Sequence, residues 1–210
     1  MIAGTIVCYG DSNTYGYDPR RFPEDRYPEA IRWTARLEEM TGVRVLNYGL
    51  NGRCIPRQES QILFLAAQME SWAKEDEPVR LWIMLGTNDL LQMKEPDAEI
   101  AASRMESLLN VLKGTEAFRK GRINIRILAP PLLKRGAWVE SDALCRESAR
   151  LGKLYENLCA KAGVDFSDTG RWDIPLIFDG VHFSEAGHTK FADKAAEIHF
   201  QRDENGRNEQ

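Results

Sequence analysis

The sequence is short of what metal and thiol chemistry require: three histidines and four cysteines in 210 residues. Cys8, Cys54, Cys145 and Cys159 form no CxxC pair, and no histidine stands at zinc-finger spacing from them. They read as reduced thiols of a cytoplasmic protein, with Cys8 a small buried hydrophobe. Asp179 and His182 lack further clustered ligands, so no metal site is expected. Positive charge is not in excess. A net charge of −4 disfavours nucleic acid and anionic membrane as partners. No apolar run is long enough to cross a bilayer. The opening MIAGTIVCYGD has neither the basic start nor the apolar length of a secretory signal. Gly10 and Gly16 are not followed by Lys-Ser or Lys-Thr, which excludes a nucleotide P-loop. There is no internal repeat and no linker. One domain over 1–200 is expected, followed by a polar, disordered tail over 201–210.

What is present is ordinary in bulk: 43% hydrophobic and 29% charged residues. The order is informative. TIVCYG (5–10), VRVLNYG (43–49), VRLWIMLG (79–86), RINIRILAPP (122–131) and VDFSD (164–168) read as strands. The third is apolar almost throughout, as a central parallel strand buried on both faces would be. Between them lie helical patterns over 27–42, 58–77, 97–114 and 141–163, and a last one over 184–200. Alternation of this kind implies a three-layer α/β/α sandwich around a parallel sheet, joined by right-handed crossovers. In such sheets ligands bind beyond the carboxyl ends of the strands.

Polar residues collect at those ends. Gly10-Asp11-Ser12-Asn13 follows the first strand, and NYGLNG (47–52) the second. Gly86-Thr87-Asn88-Asp89 follows the third, and Asp179-Gly180-Val181-His182 precedes the last helix. Ser12 alone reads as a helix N-cap and Asn88 as a turn former. Together the four segments supply what acyl transfer needs. Ser12 is the candidate nucleophile and His182 the base. Asp179, three residues earlier, orients the imidazole so that Nε2 faces Ser12. The backbone N–H groups of Ser12 and Gly52 and the side-chain amide of Asn88 are candidate oxyanion donors. His188 and His199, inside the last helix, read as packing or surface residues.

These residues resemble the SGNH hydrolase superfamily, the GDSL-type esterases and lipases. Its four blocks are matched in order by GDSN, NYGLNG, GTND and DGVH. The resemblance implies a flavodoxin-like sandwich with five parallel strands. It implies the roles just given for Ser12, Asp179, His182, Gly52 and Asn88, and no cofactor. Asp11 is similar to the family's structural aspartate, which braces the loop. The one departure is Asn13, where leucine is usual, at a position without chemistry. CYGDSNTYGY (8–17), IRWTARL (31–37), IMLGTNDL (83–90) and DGVHFSEAG (179–187) are similar to a subgroup of small bacterial arylesterases and acyltransferases. That likeness implies a small-molecule short-chain ester as substrate and points to a homo-oligomer. A carbohydrate O-acetyl esterase of the same superfamily is the alternative.

Aromatic residues supply pocket candidates. Tyr15 and Tyr17 follow the nucleophile closely, and Trp138 and Trp172 lie in irregular segments expected to border the active edge. Trp33, Trp72 and Trp82 read as core. From another class, GDSNTYG is similar to the phosphate loop of flavodoxins, so an FMN-binding carrier is the competitor. It leaves GTND and DGVH without a purpose. A colourless purified protein is the expected result; a visible flavin band would overturn the hydrolase reading.

Overall fold

The computed structural model describes residues 4–21, 25–74 and 77–207, with side chains described to residue 201. Five strands form one sheet: β1 Thr5–Gly10, β2 Arg44–Gly49, β3 Val79–Met84, β4 Ile123–Ala129 and β5 Asp165–Asp168. Their order is β2-β1-β3-β4-β5, and every pairing is parallel. The chain turns to one side of β1 and then to the other. The crevice between the carboxyl ends of β1 and β3 is therefore the topological switch point where such folds place ligands.

Among the described residues eight α-helices connect or cover the strands: α1 Ser12–Tyr15, α2 Trp33–Thr41, α3 Glu59–Trp72, α4 Thr87–Gln92, α5 Ala98–Lys113, α6 Glu116–Arg119, α7 Asp142–Ala162 and α8 Glu185–Arg207. The two-residue period of the strands divides the core. Val7, Tyr9, Leu81, Ile83, Ile125 and Ile127 face α3, α5 and α7, whose Leu65, Met69, Met105, Leu108, Leu151 and Tyr155 cover them. Ile6, Cys8, Trp82 and Met84 face the other way, onto Trp33 and Leu37 of α2 and Phe191, Ala192 and Ala195 of α8. Trp33, Trp72 and Trp82 are thus core residues.

Three elements differ from the sequence reading. The single helix expected over 27–42 is a 3-10 turn, Glu29–Ile31, and then α2, because Arg32 is extended between them. The expected tail does not begin at 201. The helix runs on to Arg207, an extension that needs no new nucleus. Residues 208–210 lie outside the described residues. The short helices α4 and α6 carry no apolar period long enough to read. No helix among the described residues is long and apolar enough to cross a membrane.

The approach of α1 to the sheet is set by Gly49. A Cβ there would stand 2.0 Å from the Tyr15 nitrogen. No side chain fits, so the turn carrying Ser12 rests directly on the sheet edge.

His188 of α8 is fully buried between the edges of the Tyr27 and Phe183 rings, and its Nδ1 accepts the Trp33 N–H at 3.4 Å. Burial, helped by Arg36 and Arg32, pushes the imidazole down from 6.5 to about 3. The folded chain therefore keeps His188 neutral while the unfolded chain takes up a proton below pH 6.5. Its contribution to stability is intact above that pH and is lost as pH falls towards 3. Urea titrations across this window should show a stability slope smaller by about one proton in His188→Gln than in wild type. Equal slopes would mean that His188 does not stay neutral.

Candidate active site

Ser12 is the first residue of α1, and Asp11 holds the cap position: its carboxylate accepts the Asn13 N–H at 3.0 Å. Capping is thus done by Asp11, and the Ser12 hydroxyl is left for another partner. That partner is His182, whose Nε2 lies 2.9 Å from Oγ. The other ring nitrogen, Nδ1, lies 2.6 Å from Asp179 Oδ2. A carboxylate only accepts, so Nδ1 carries the proton and Nε2 is the acceptor for the serine hydroxyl. Asp179 Oδ1 also accepts the N–H groups of Val181 and His182, at 2.8 and 2.9 Å. Burial alone would raise this carboxyl. The hydrogen bonds from the ring and from the two backbone amides outweigh it and hold the group below the usual aspartate value.

The loop before α8 is tightly drawn. Gly180 has φ +80°, and a Cβ on it would fall 1.9 Å from the Lys134 carbonyl oxygen. Glycine is required there by backbone conformation and by space. The strap over residues 134–138 is pinned to the loop by bonds from Lys134 N–H to Gly180 O and from Trp138 N–H to Asp179 O, both 3.0 Å. It carries the Trp138 indole to 4.9 Å from the His182 ring, centroid to centroid, with Tyr17 at 4.7 Å.

On the other side lies the loop after β2. Arg53 turns inward and stacks on the Tyr9 ring at 4.0 Å. Its Nη1 donates to the carbonyls of Gly10, at 2.9 Å, and of Tyr48. Asn88 Nδ2 donates to the Arg53 carbonyl at 3.1 Å, which leaves one amide hydrogen for a ligand. Asp89, fully buried, accepts the Ile55 N–H at 2.9 Å and pairs with Arg104 at 2.7 Å. The loop bearing Gly52 is thereby tied to β1 through Arg53 and to α4 through Asn88 and Asp89. Among the described residues, neither the Ser12 nor the Gly52 N–H donates to a protein acceptor.

Ser12, Gly52, Asn88 and His182 line one cavity of about 450 Å³, together with Tyr17, Asp25, Asn51, Leu91, Trp138 and Val181. A larger groove of about 680 Å³ adjoins it at Asn51 and Gly52 and runs along residues 50–61. The smaller cavity holds the serine–imidazole pair.

Two of the four aromatic pocket candidates are therefore corrected. Tyr15 does not line the cavity: its ring lies under the Arg26 guanidinium at 4.2 Å. Trp172 points into the core against Phe191, at 5.0 Å. Sequence reasoning also missed Asn13, Arg53 and Asp89. Asp89 adjoins Asn88 and Arg53 adjoins Gly52, so their neighbours were the only available signal. Asn13, read as a position without chemistry, makes two buried hydrogen bonds to the loop of His182.

An α/β sandwich with a serine–histidine–aspartate relay at its switch point, beside two unengaged backbone N–H groups and an amide with one free hydrogen, has the parts of a serine hydrolase. A model of the GDSL-like Lipase/Acylhydrolase family matches residues 8–190, and the chain belongs to that family. It is an acylhydrolase of the esterase kind. Among solved structures it is similar to a carbohydrate acetylesterase family member from Sinorhizobium meliloti, with 26% identity, 92% and 96% of the two chains covered and a TM-score of 0.77. The M. smegmatis aryl esterase, at 23% identity with 94% and 98% covered and a TM-score of 0.75, shares the fold. A curated relative, the lipoprotein YqeF of Bacillus subtilis (strain 168), whose activity is uncharacterized, is 26% identical over 90% of this chain and 76% of its own.

The Asp89–Arg104 pair supports the loop from below and allows a stability test. Arg104→Leu leaves a buried carboxylate without its cation and should cost about 3 kcal/mol in urea unfolding. Turnover of the folded variant should fall as the Gly52 loop loosens. A variant as stable and as active as wild type would show that the pair holds nothing in place.

Proposed function

We propose that this chain is a serine esterase for short-chain acyl esters. The observation that carries the reading is the relay of 2.9 and 2.6 Å from Ser12 through His182 to Asp179, opening on a cavity that Gly52 and Asn88 also line. Ser12 Oγ attacks the ester carbonyl as its proton passes to His182 Nε2. The carbonyl oxygen, now negative, is held by the N–H groups of Ser12 and Gly52 and by the Asn88 amide. The carbon–oxygen bond to the alcohol breaks, and His182 returns the proton to the leaving oxygen. Water, deprotonated by the same imidazole, attacks the acyl-enzyme and releases the acid. An alcohol in place of water gives acyl transfer. These steps use only the chain's own groups and the incoming nucleophile.

The size and lining of the cavity favour small acyl groups. It is about 450 Å³, walled by Tyr17, Leu91, Trp138 and Val181. Trp138 is half exposed, so an aromatic alcohol has a flat surface to rest on. One observation favours a second reading, a carbohydrate O-acetyl esterase. The adjoining groove is lined by Asn51, Arg57, Gln58, Gln61 and Gln92, whose amides and guanidinium suit sugar hydroxyls. The carbohydrate acetylesterase family member from Sinorhizobium meliloti among the similar structures supports it.

The test is hydrolysis of p-nitrophenyl esters from acetate to octanoate, with an acetylated xylo-oligosaccharide alongside. Wild type should turn over the short esters. Ser12→Ala should lose roughly 10³-fold or more, and Asp179→Asn a comparable factor through the wrong tautomer. Equal rates in wild type and Ser12→Ala would end the proposal. Turnover of the sugar ester above that of the aryl esters would select the second reading.

A further inference from the structure

Asn13 is 5% exposed and does not line the cavity, yet every end of it is engaged. Its Nδ2 donates to the Val181 carbonyl at 3.0 Å, and its Oδ1 accepts the Phe183 N–H at 2.9 Å. Its own N–H goes to Asp11 Oδ1 at 3.0 Å, and its carbonyl accepts the Trp33 indole N–H at 3.0 Å. The two side-chain bonds bracket His182 in the chain, one residue before it and one after. Ser12, the residue before Asn13, meets the imidazole between them.

We propose that Asn13 is a positioning residue that sets the register between Ser12 and His182. The proposal rests on the reading of Ser12 as nucleophile and His182 as base. Asp179 organises the loop of His182 from inside, through the ring and the amides of residues 181 and 182. None of those bonds refers to the position of Ser12. Besides the serine–imidazole contact itself, Asn13 gives a direct hydrogen-bonded link between the two loops. A single planar amide holding both a carbonyl and an N–H of the neighbouring backbone permits little sliding or rotation. Leucine at this position, the residue usual in the resembling family, would make neither bond and would rely on packing. Val181 and Phe183 are themselves buried, so the groups left behind would be deprived of solvent as well.

The consequence is kinetic. A displacement of about 1 Å between nucleophile and base costs on the order of 10²-fold in rate, while a cavity that Asn13 does not line keeps its affinity. Asn13→Leu and Asn13→Ala should therefore lose about 10- to 100-fold in kcat on a short p-nitrophenyl ester, with KM changed less than about twofold. Phosphonylation of Ser12 by an active-site phosphonate should slow by the same factor. The downfield proton resonance of the His182–Asp179 hydrogen bond should persist, because that bond lies wholly within the other loop. Asn13→Ala adds no bulk and serves if leucine disturbs packing. Folded variants with kcat within threefold of wild type would overturn the proposal. So would a loss carried by KM, or disappearance of the downfield resonance along with activity, which would mark general collapse of the loop. Ser12→Ala is run beside them. If it remains active, the nucleophile assignment fails; if it is inactive while both Asn13 variants are normal, only the positioning role fails.

Discussion

Ser12 and His182 stand 170 residues apart in the chain and 2.9 Å apart in space. A hydrogen bond tolerates a few tenths of an ångström before it weakens. The rest of the structure can be understood as the means of holding that distance. The parallel sheet sets the coarse position by bringing the carboxyl ends of β1, which leads into Ser12, and of β5, which precedes the loop of His182, to one edge. Gly49 lets α1 sit directly on that edge, and Gly180 lets the other loop pass beneath the 134–138 strap. Asn13 and Asp179 then fix the last fraction of the distance from the two sides.

Buried charge is tolerated here only with compensation, and the compensation differs from site to site. Asp179 is stabilised as a carboxylate by three N–H donors. Asp89 has Arg104 and a backbone amide. Asp11 is less well served. Burial raises it to about 6, and the Asn13 amide, His182 and Arg53 offset that only in part. His188 takes the opposite course and stays neutral inside the core. The first two hold charges where geometry needs acceptors. The last avoids a charge that no partner would neutralise.

The Gly52 loop shows how the donor side is built without a helix or strand of its own. Arg53 spends its guanidinium on two carbonyls at the ends of β1 and β2 and lays its plane on Tyr9. Asn88 and Asp89, adjacent in α4, catch the same loop at Arg53 and Ile55. In the proposed reaction, donors held in this way need no rearrangement when charge develops on a bound carbonyl, which is the condition for electrostatic stabilisation of a transition state.

The sequence by itself determined the layered α/β architecture, the strand positions and the four polar segments at the strand ends. Those features follow from local periods, from glycine and proline punctuation and from the rule that parallel sheets bind at their carboxyl edge. It also determined the pairing of Asp179 with His182, whose partners lie three residues apart. It did not determine where lone side chains point. Tyr15 and Tyr17 are two residues apart, yet one lies under Arg26 and the other against His182. Trp138 and Trp172 both read from the sequence as irregular chain, yet Trp172 ends a 3-10 turn, Thr169–Trp172, and only Trp138 reaches the cavity. Such directions depend on which segment packs opposite, and that segment is remote in sequence. Asn13 is the clearest instance. The sequence reads it as a position without chemistry, but its side-chain partners lie 168 and 170 residues away. Only the packing of the loop over residues 179–183 against α1 brings them within hydrogen-bonding distance.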